Sequence, residues 1–463
     1  MRPYLSFFFC VCPRCIVVLQ HVTQNLTEGK LARQIFLFSV PLMISNLLQA
    51  LFNMADIMVV GQFVGPEALG SVGSTTILVT LFTGFLIGMG NGVNVMVARY
   101  FGARSDRDVS ETVHTSLILC LLEGVVILVL GQLFSRAMLE LLNTKEVLID
   151  DAALYLRIYF LGMPAMAVYN FGNAVFSAVG NTKKPLLFLT TAGVANVVMN
   201  LFFVIVCGLG VAGIASAASQ CVCAVLIVVS LLRSKENIAL RPHALKVSAD
   251  KARFVLRLGI PAGCQNAIFA IANLFIQSGV NSFDAVTVEG NSAAANSDAL
   301  VYDVMNAFYM ACSSFISQNM GAKKKKRMLQ SYFISLAYSF GAGAVLGLSL
   351  VVFGRQFLSL FTKDAAVMEA GMARLRVMGF SYMVSAFMDN TIAASRGLGK
   401  ALVPTIIVIL GSCVFRVIWV YTIFAYFHTI DSLYLLYVFS WTITAVAEIL
   451  YFAKSYRKLA ATL

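Results

Sequence analysis

Charge is scarce in this chain. Asp, Glu, Lys and Arg make up 12% of its 463 residues, against about 25% in a soluble domain. An ordinary water-exposed globular surface is thereby excluded. Long polar stretches are also missing. The longest, Arg233 to Arg253, is too short for a catalytic domain, so no enzyme is expected and function must reside between the apolar segments. There is no phosphate loop of the form Gly-x4-Gly-Lys-Ser/Thr, because Gly397-Leu-Gly-Lys400 lacks both the spacing and the hydroxyl residue. An ion gradient is then the expected source of energy. The ten cysteines build no disulfide framework: Cys120, Cys207, Cys221, Cys223, Cys264, Cys312 and Cys413 lie within apolar runs and read as small packing residues. Cys10, Cys12 and Cys15 cluster, but no second ligand group of matching spacing completes a metal site. Neither a metal nor a cofactor is expected.

Apolar length is what the chain has in abundance, with 59% hydrophobic residues. Twelve runs of membrane-spanning length can be laid at 35–62, 68–97, 110–134, 153–177, 186–208, 211–232, 256–281, 289–316, 330–353, 375–395, 403–427 and 433–453. In hydrocarbon each backbone amide must bond within its own segment or in a closed barrel, and these runs are too long and continuous for barrel strands. The fold class is therefore an all-α polytopic membrane protein with the lipid bilayer as its solvent. The formal charge of +12 comes from loops after even-numbered spans: Arg99, Arg104 and Arg107; Lys183 and Lys184; Arg233 to Arg257; Lys323 to Arg327; Arg396 and Lys400; Lys454, Arg457 and Lys458. That bias reports topology and not nucleic-acid binding, and it puts both termini in the cytoplasm, with the cell membrane as the expected site.

The twelve spans are two copies of six. Pro41-x4-Asn-x6-Asn53 recurs as Pro261 to Asn273, an offset of 220, and Gly102-Ala103 before a basic loop recurs as Gly321-Ala322, an offset of 219. Leu156 and Leu375, Arg157 and Arg376, Ala174 and Ala393, Gly180 and Gly399, and Pro185 and Pro404 keep the offset of 219. An even number of spans per copy makes the halves parallel, related by an axis along the membrane normal. The expected division is a tail over 1–25, with a mis-assigned start as one reading of it, an N-lobe over 26–232, a cytoplasmic linker over 233–255 and a C-lobe over 256–463.

Polar side chains inside these spans carry the functional expectation. Asn46, Gln49, Asn53 and Asp56 fall at i, i+3, i+7 and i+10, on one face of span one. An intramembrane carboxylate costs several kcal/mol unless hydrated or paired, which makes Asp56 a functional suspect; the alternative is an acid merely hydrated near the outer end of its span. Asn196 and Asn200, one turn apart on span five, could offer amide oxygens to a monovalent cation, or only bond neighbouring helices. The cation-coupling set is thus Asp56, Asn53, Asn196 and Asn200. Gln49, Asn170, Asn173, Asn266, Asn273 and Gln277 are expected to line a substrate cavity, and Asp298, Asp303 and Asp389 to attract an organic cation there, with Arg416 able to neutralise one of them. Ile276 stands where a second Asp56 would be, so that acid belongs to the first half alone. Glu123 lacks an evident partner, and Glu448 is expected at the cytoplasmic interface. Phe269, Phe275, Tyr302, Met305, Phe308, Tyr309, Tyr382 and Met388 read as packing.

Pro41 through Gly61, Val97-Ala-Arg-Tyr-Phe-Gly-Ala-Arg104, Asn196-Val-Val-Met-Asn200, Gln318-Asn-Met-Gly-Ala322 and Arg396-Gly-Leu-Gly-Lys400 together resemble the multidrug and toxic compound extrusion (MATE) family, bacterial branch, from about Leu26 onward. The resemblance implies two six-helix lobes that exchange a sodium ion or proton for an exported organic cation, with Asp56 as the first-helix acid and Asn196 as an amide beside it. Two departures stand out: Asn200 occupies a place where several members have aspartate, and span seven lacks the acid some members use, with Phe269 near that place. Asp389 lies about one turn from a span-ten acid of certain members.

Three other functions fit part of the pattern. A lipid-linked sugar flippase of related architecture would want a strongly cationic cavity, whereas the intramembrane charges here lean acidic apart from Arg416. A major-facilitator transporter is faintly suggested by Ser105-Asp-Arg-Asp108, but its other motif residues are missing. A non-transporting membrane scaffold would need no paired polar stripes.

Overall fold

A computed structural model describes residues 24–142, 144–206 and 213–462. Cys10, Cys12, Cys15, Cys207 and nearly all of the expected tail lie outside them. The apolar runs become helices: α1 (Leu31–Phe63), α2 (Pro66–Gly102), α3 (Asp106–Leu141), α4 in two pieces (Glu146–Leu161 and Met163–Ala178), α5 (Lys183–Leu201, prolonged by a π-helical turn Phe202–Val206), α6 (Gly213–Leu232), α7 (Ala249–Val280), α8 (Ala285–Gly321), α9 (Lys325–Leu358), α10 (Ala365–Gly397), α11 (Leu402–Phe427) and α12 (Ile430–Thr462). Among the described residues ten single helices are long and apolar enough to cross a membrane, and the two pieces of α4 qualify as one bent span. The twelfth, α10, is diluted by Glu369, Arg374, Arg376, Asp389 and Arg396.

Two departures from regular helix have local causes. α4 bends by 46° at Gly162, where Pro164 follows and cannot supply an amide proton to the preceding turn. α11 contains π-helical turns at Ile409–Val414 and Val420–Phe424. The second matches the turn that ends α5 at an offset near 219; the first faces only α-helix at the corresponding part of α5.

The duplication is visible in backbone geometry. Arg104 and Lys323 end the Gly-Ala loops in the left-handed region, at φ of 56° and 57°, and Gly180 and Gly399, in the loops before Pro185 and Pro404, lie there at 85° and 77°. Each pair keeps the 219 offset. At the glycine pair the turn requires a residue without a Cβ. Each lobe has its own core, around Met89, Val93, Phe160, Phe171 and Ile227 in the first and Met305, Tyr309, Tyr382, Trp419 and Leu433 in the second. Met305, Phe308, Tyr309, Tyr382 and Met388 pack as expected, whereas Tyr302 is 47% exposed. The linker is shorter than 233–255, because α7 already begins at Ala249. It is tied to α3: the Arg241 N–H donates to His114 Nε2 at 3.0 Å and the Ser248 N–H to Thr115 Oγ1 at 3.1 Å.

The lobes close on each other at the end that carries the basic loops. A methyl group on Gly102 would collide with the Gln318 carbonyl, and one on Gly321 with the Arg99 carbonyl, so the two chains of contact are again repeat-related. Asn94 on α2 donates to the Ala174 carbonyl at 3.1 Å and accepts from Ser314 Oγ of the other lobe at 2.9 Å. The segment before α1 is clamped there as well. The Leu26 N–H donates to Gln318 Oε1 at 3.1 Å, and Arg327 donates to the carbonyls of Gly29 and Glu28 at 2.9 and 2.8 Å.

Candidate functional site

Above that closed end, two repeat-related amides mark where the lobes part. Asn46 of α1 donates to the Asp303 carbonyl of α8 at 2.8 Å, and Asn266 of α7 donates to the Gly84 carbonyl of α2 at 2.8 Å. Donors are 220 apart and acceptors 219 apart, so the pair is one contact made twice by duplication. Two turns further on, along the same helical faces, Asn53 and Asn273 are exposed. Gln49 is half-buried between Asn46 and Asn53, and Gln277 is exposed one turn beyond Asn273. The faces that meet at Asn46 and Asn266 therefore diverge into a cleft opening away from the basic loops.

Beside this cleft the N-lobe encloses Asp56. Gly193 lets α5 approach until the Phe52 ring fills the space a side chain would need, which brings the α1 carboxylate onto Asn200. Asn200 Nδ2 donates to Asp56 Oδ1, and Ser216 Oγ of α6 donates to Oδ2 at 3.1 Å. Behind them Asn200 Nδ2 stands 3.5 Å from Asn196 Oδ1, Asn196 Nδ2 donates to Ser219 Oγ at 3.4 Å, and Ser219 donates to the Ser216 carbonyl at 2.8 Å. Asn196 and Asn200 are 5% and 1% exposed. Tyr155 and Tyr159 stack their rings 6.1 Å apart on α4, which packs against α6. None of the ion pairs among the described residues involves Asp56.

This arrangement fits a small cation. A desolvated monovalent ion needs several oxygens and a neutralising charge. The carboxylate supplies the charge, and Asn200 Oδ1, buried without a hydrogen-bond partner among the described residues, is an oxygen still to be satisfied. A proton on the carboxyl would serve the same electrostatic need. The site brings together three of the four residues expected to couple a cation. Asn53 stays on the cleft face, outside this hydrogen-bond group. Ser216, Ser219 and the two tyrosines were not expected; the one signal for the serines is their spacing of one turn in an apolar run.

The remaining expected residues divide. Asn170 bonds back to the Met166 carbonyl at 3.0 Å and Asn173 accepts from Ser177 at 3.5 Å, so both are engaged within α4. Gln277 donates to Asn281 at 2.8 Å at the end of α7. Asp298 does not offer the free charge expected of it: Arg374 of α10 pairs with it, Tyr382 donates to it, and Arg374 also holds Asn291 at 2.8 Å. Arg374 lies one residue before the apolar run of span ten, so hydropathy does not place it in the helix. Asp303 and Asp389 are half-buried and make no ion pair among the described residues. Arg416 pairs with neither; it meets Asn273 and Ser440 instead, each at 3.3 Å. Glu448 is not at an interface but 0% exposed, with both oxygens lacking partners among the described residues. The physical reason is that α12 runs 14 residues past it to Thr462, about 21 Å at 1.5 Å per residue.

Comparison with known proteins agrees with this architecture. A MatE family model matches residues 41–202 and 261–422, the same two copies at the same offset of 220. The probable multidrug resistance protein YoeA of Bacillus subtilis is 28% identical over 397 residues, covering 83% of this chain and 85% of its own. The FAD transporter of Shewanella oneidensis is 23% identical over 74% of this chain and 77% of its own. A solved structure of a multidrug resistance MATE transporter in an outward-facing conformation superimposes with a TM-score of 0.88 at 22% identity, covering 95% of this chain and 99% of that one. With two copies of the family unit spanning most of its length, the chain belongs to the MATE family of multidrug efflux transporters.

Proposed function

We propose that this chain is a secondary active antiporter, exporting organic cations or drugs in exchange for sodium ions or protons by alternating access. The observation that carries the reading is the Asp56 carboxylate, held by two helices of its own lobe, free of any basic partner among the described residues, and set beside the inter-lobe cleft. The basic loops lie in the cytoplasm of the plasma membrane, as do both termini, so the described state opens outward. A cation arriving from outside neutralises Asp56 in this state. A substrate occupying the cleft between Asn53 and Asn273 favours the other state, and coupling follows from that difference in affinity. Names of relatives such as YoeA support drugs as the cargo. The test is counterflow of a panel of organic cations in vesicles holding the purified protein, under separate sodium and pH gradients. Flux driven by one gradient is expected, and flux indifferent to both would refute antiport.

A further inference from the structure

The two lobes carry opposite charge at the same place. At the offset of 220, Asp56 corresponds to Ile276, Asn53 to Asn273 and Asn196 to Arg416. The sixth helix of each lobe adds a serine, Ser219 against Asn196 at 3.4 Å and Ser440 against Arg416 at 3.3 Å. Where the N-lobe sets a carboxylate among amides, the C-lobe sets a guanidinium beside an amide and a hydroxyl.

Arg416 is 1% exposed and belongs to none of the ion pairs among the described residues. Its Nη1 donates to Asn273 Oδ1 at 3.3 Å, while Nη2 has no hydrogen-bond partner there. Around it stand the rings of Tyr437, Phe269 and Trp441, at 4.8, 5.3 and 5.8 Å from the guanidinium carbon. Asp389 of α10 forms no ion pair with it. Aromatic faces offset part of the cost of burying a cation, but a planar fork of donors is completed by an oxyanion that takes two bonds at once. Asn273, which accepts the Nη1 bond, is itself exposed on the cleft face of α7. The α-helical turn that presents Arg416, Phe415–Trp419, lies between two π-helical turns, and the first of these has no counterpart in α5. An inserted π turn re-aims the side chains that follow and recurs at functional sites.

We propose that Arg416 and Asn273 form a subsite for the oxyanion of an aromatic substrate, a carboxylate or phosphate, with the ring packed on Tyr437, Phe269 and Trp441. The cargo then includes amphoteric and anionic aromatic compounds as well as plain cations. This rests on the reading of the inter-lobe cleft as a substrate path.

Efflux of two rhodamine dyes from cells tests it: one carries a free benzoate, and the other is its methyl ester. Arg416→Gln is expected to slow export of the benzoate dye by about tenfold or more, the loss of a charge-assisted pair of bonds, while export of the ester stays within about twofold. Equal effects on both dyes, or none on either, would overturn the subsite but leave the transport reading intact. Export of neither dye by the unaltered protein would remove that reading and the subsite with it. A second measurement needs no change at Arg416. The chain has two tryptophans, so in a Trp419→Phe protein the emission reports Trp441 against the guanidinium. Benzoate should change that emission saturably and benzyl alcohol should not; an equal response to both contradicts the proposal.

Discussion

Replacing Asn46 or Asn266 with alanine should shift the protein toward the state in which the basic ends separate. Each amide makes one hydrogen bond across the lobes, at 2.8 Å, to a helix carbonyl of the other lobe. The acceptors, Asp303 O and Gly84 O, belong to continuous helices, so removal of the amide costs the bond itself and not a stranded acceptor. That is about 1 kcal/mol, or roughly a fivefold change in population per site. The sites are far apart in sequence and share no partner, so the double variant should approach about 2 kcal/mol, roughly 30-fold. Spin labels on Lys183, the exposed first residue of α5, and on Lys400, exposed in the loop after α10 of the opposite lobe, would read the spacing of the basic ends. A longer-distance population should grow from single to double variant. Asn53→Ala and Asn273→Ala, on the same faces but in the open cleft, should leave the distribution near that of the parent for the inter-lobe contact. Distance distributions identical in all these proteins would refute the argument that the repeated amides hold the lobes together.

Arg374→Met should lower the thermal stability of the detergent-solubilised protein, because it leaves Asp298 without its buried partner; the expected loss is about 3 kcal/mol. Asp298→Asn should keep gradient-driven efflux, and lost efflux at unchanged stability would make Asp298 a transport acid after all. Gly102→Ala pushes a methyl into the Gln318 carbonyl of the opposite lobe, an overpacking cost of about 1–3 kcal/mol borne by the closed basic end alone. The variant should be folded by circular dichroism, bias the spin-label distances toward separation and slow efflux; wild-type distances would contradict the contact.

The repeat and the parallel lobes are legible in the sequence, because the offset near 220 survives without knowledge of packing; the proximity of Asp56 to Asn196 comes from the family resemblance and not from helical spacing. What the amides bond is not legible. Asn46 and Asn266 meet backbone carbonyls, which every residue carries, so no partner residue type announces the contact. The partner of Asp298 is illegible for a related reason: hydrophobic runs delimit what is apolar, while α10 extends ten residues before its apolar run and holds the buried Arg374–Asp298 pair there. Glu448 shows the same error at the other end, as α12 continues well beyond the last apolar residues. The π-helical turns around Arg416 leave no trace in periodicity, since a single inserted residue per turn is absorbed within an apolar stretch. Residue types mark the chemistry available, and only the folded helices fix which groups face each other.

The most direct measurement compares the parent protein with Asp56→Asn in proteoliposomes, following accumulation of an organic cation under an imposed sodium or proton gradient. The substitution is nearly isosteric and leaves hydrogen-bonding atoms facing Asn200 and Ser216, so the lobe should stay folded. The account predicts that the gradient ceases to drive uptake in the variant while facilitated equilibration persists. Full gradient-driven accumulation by Asp56→Asn would contradict it.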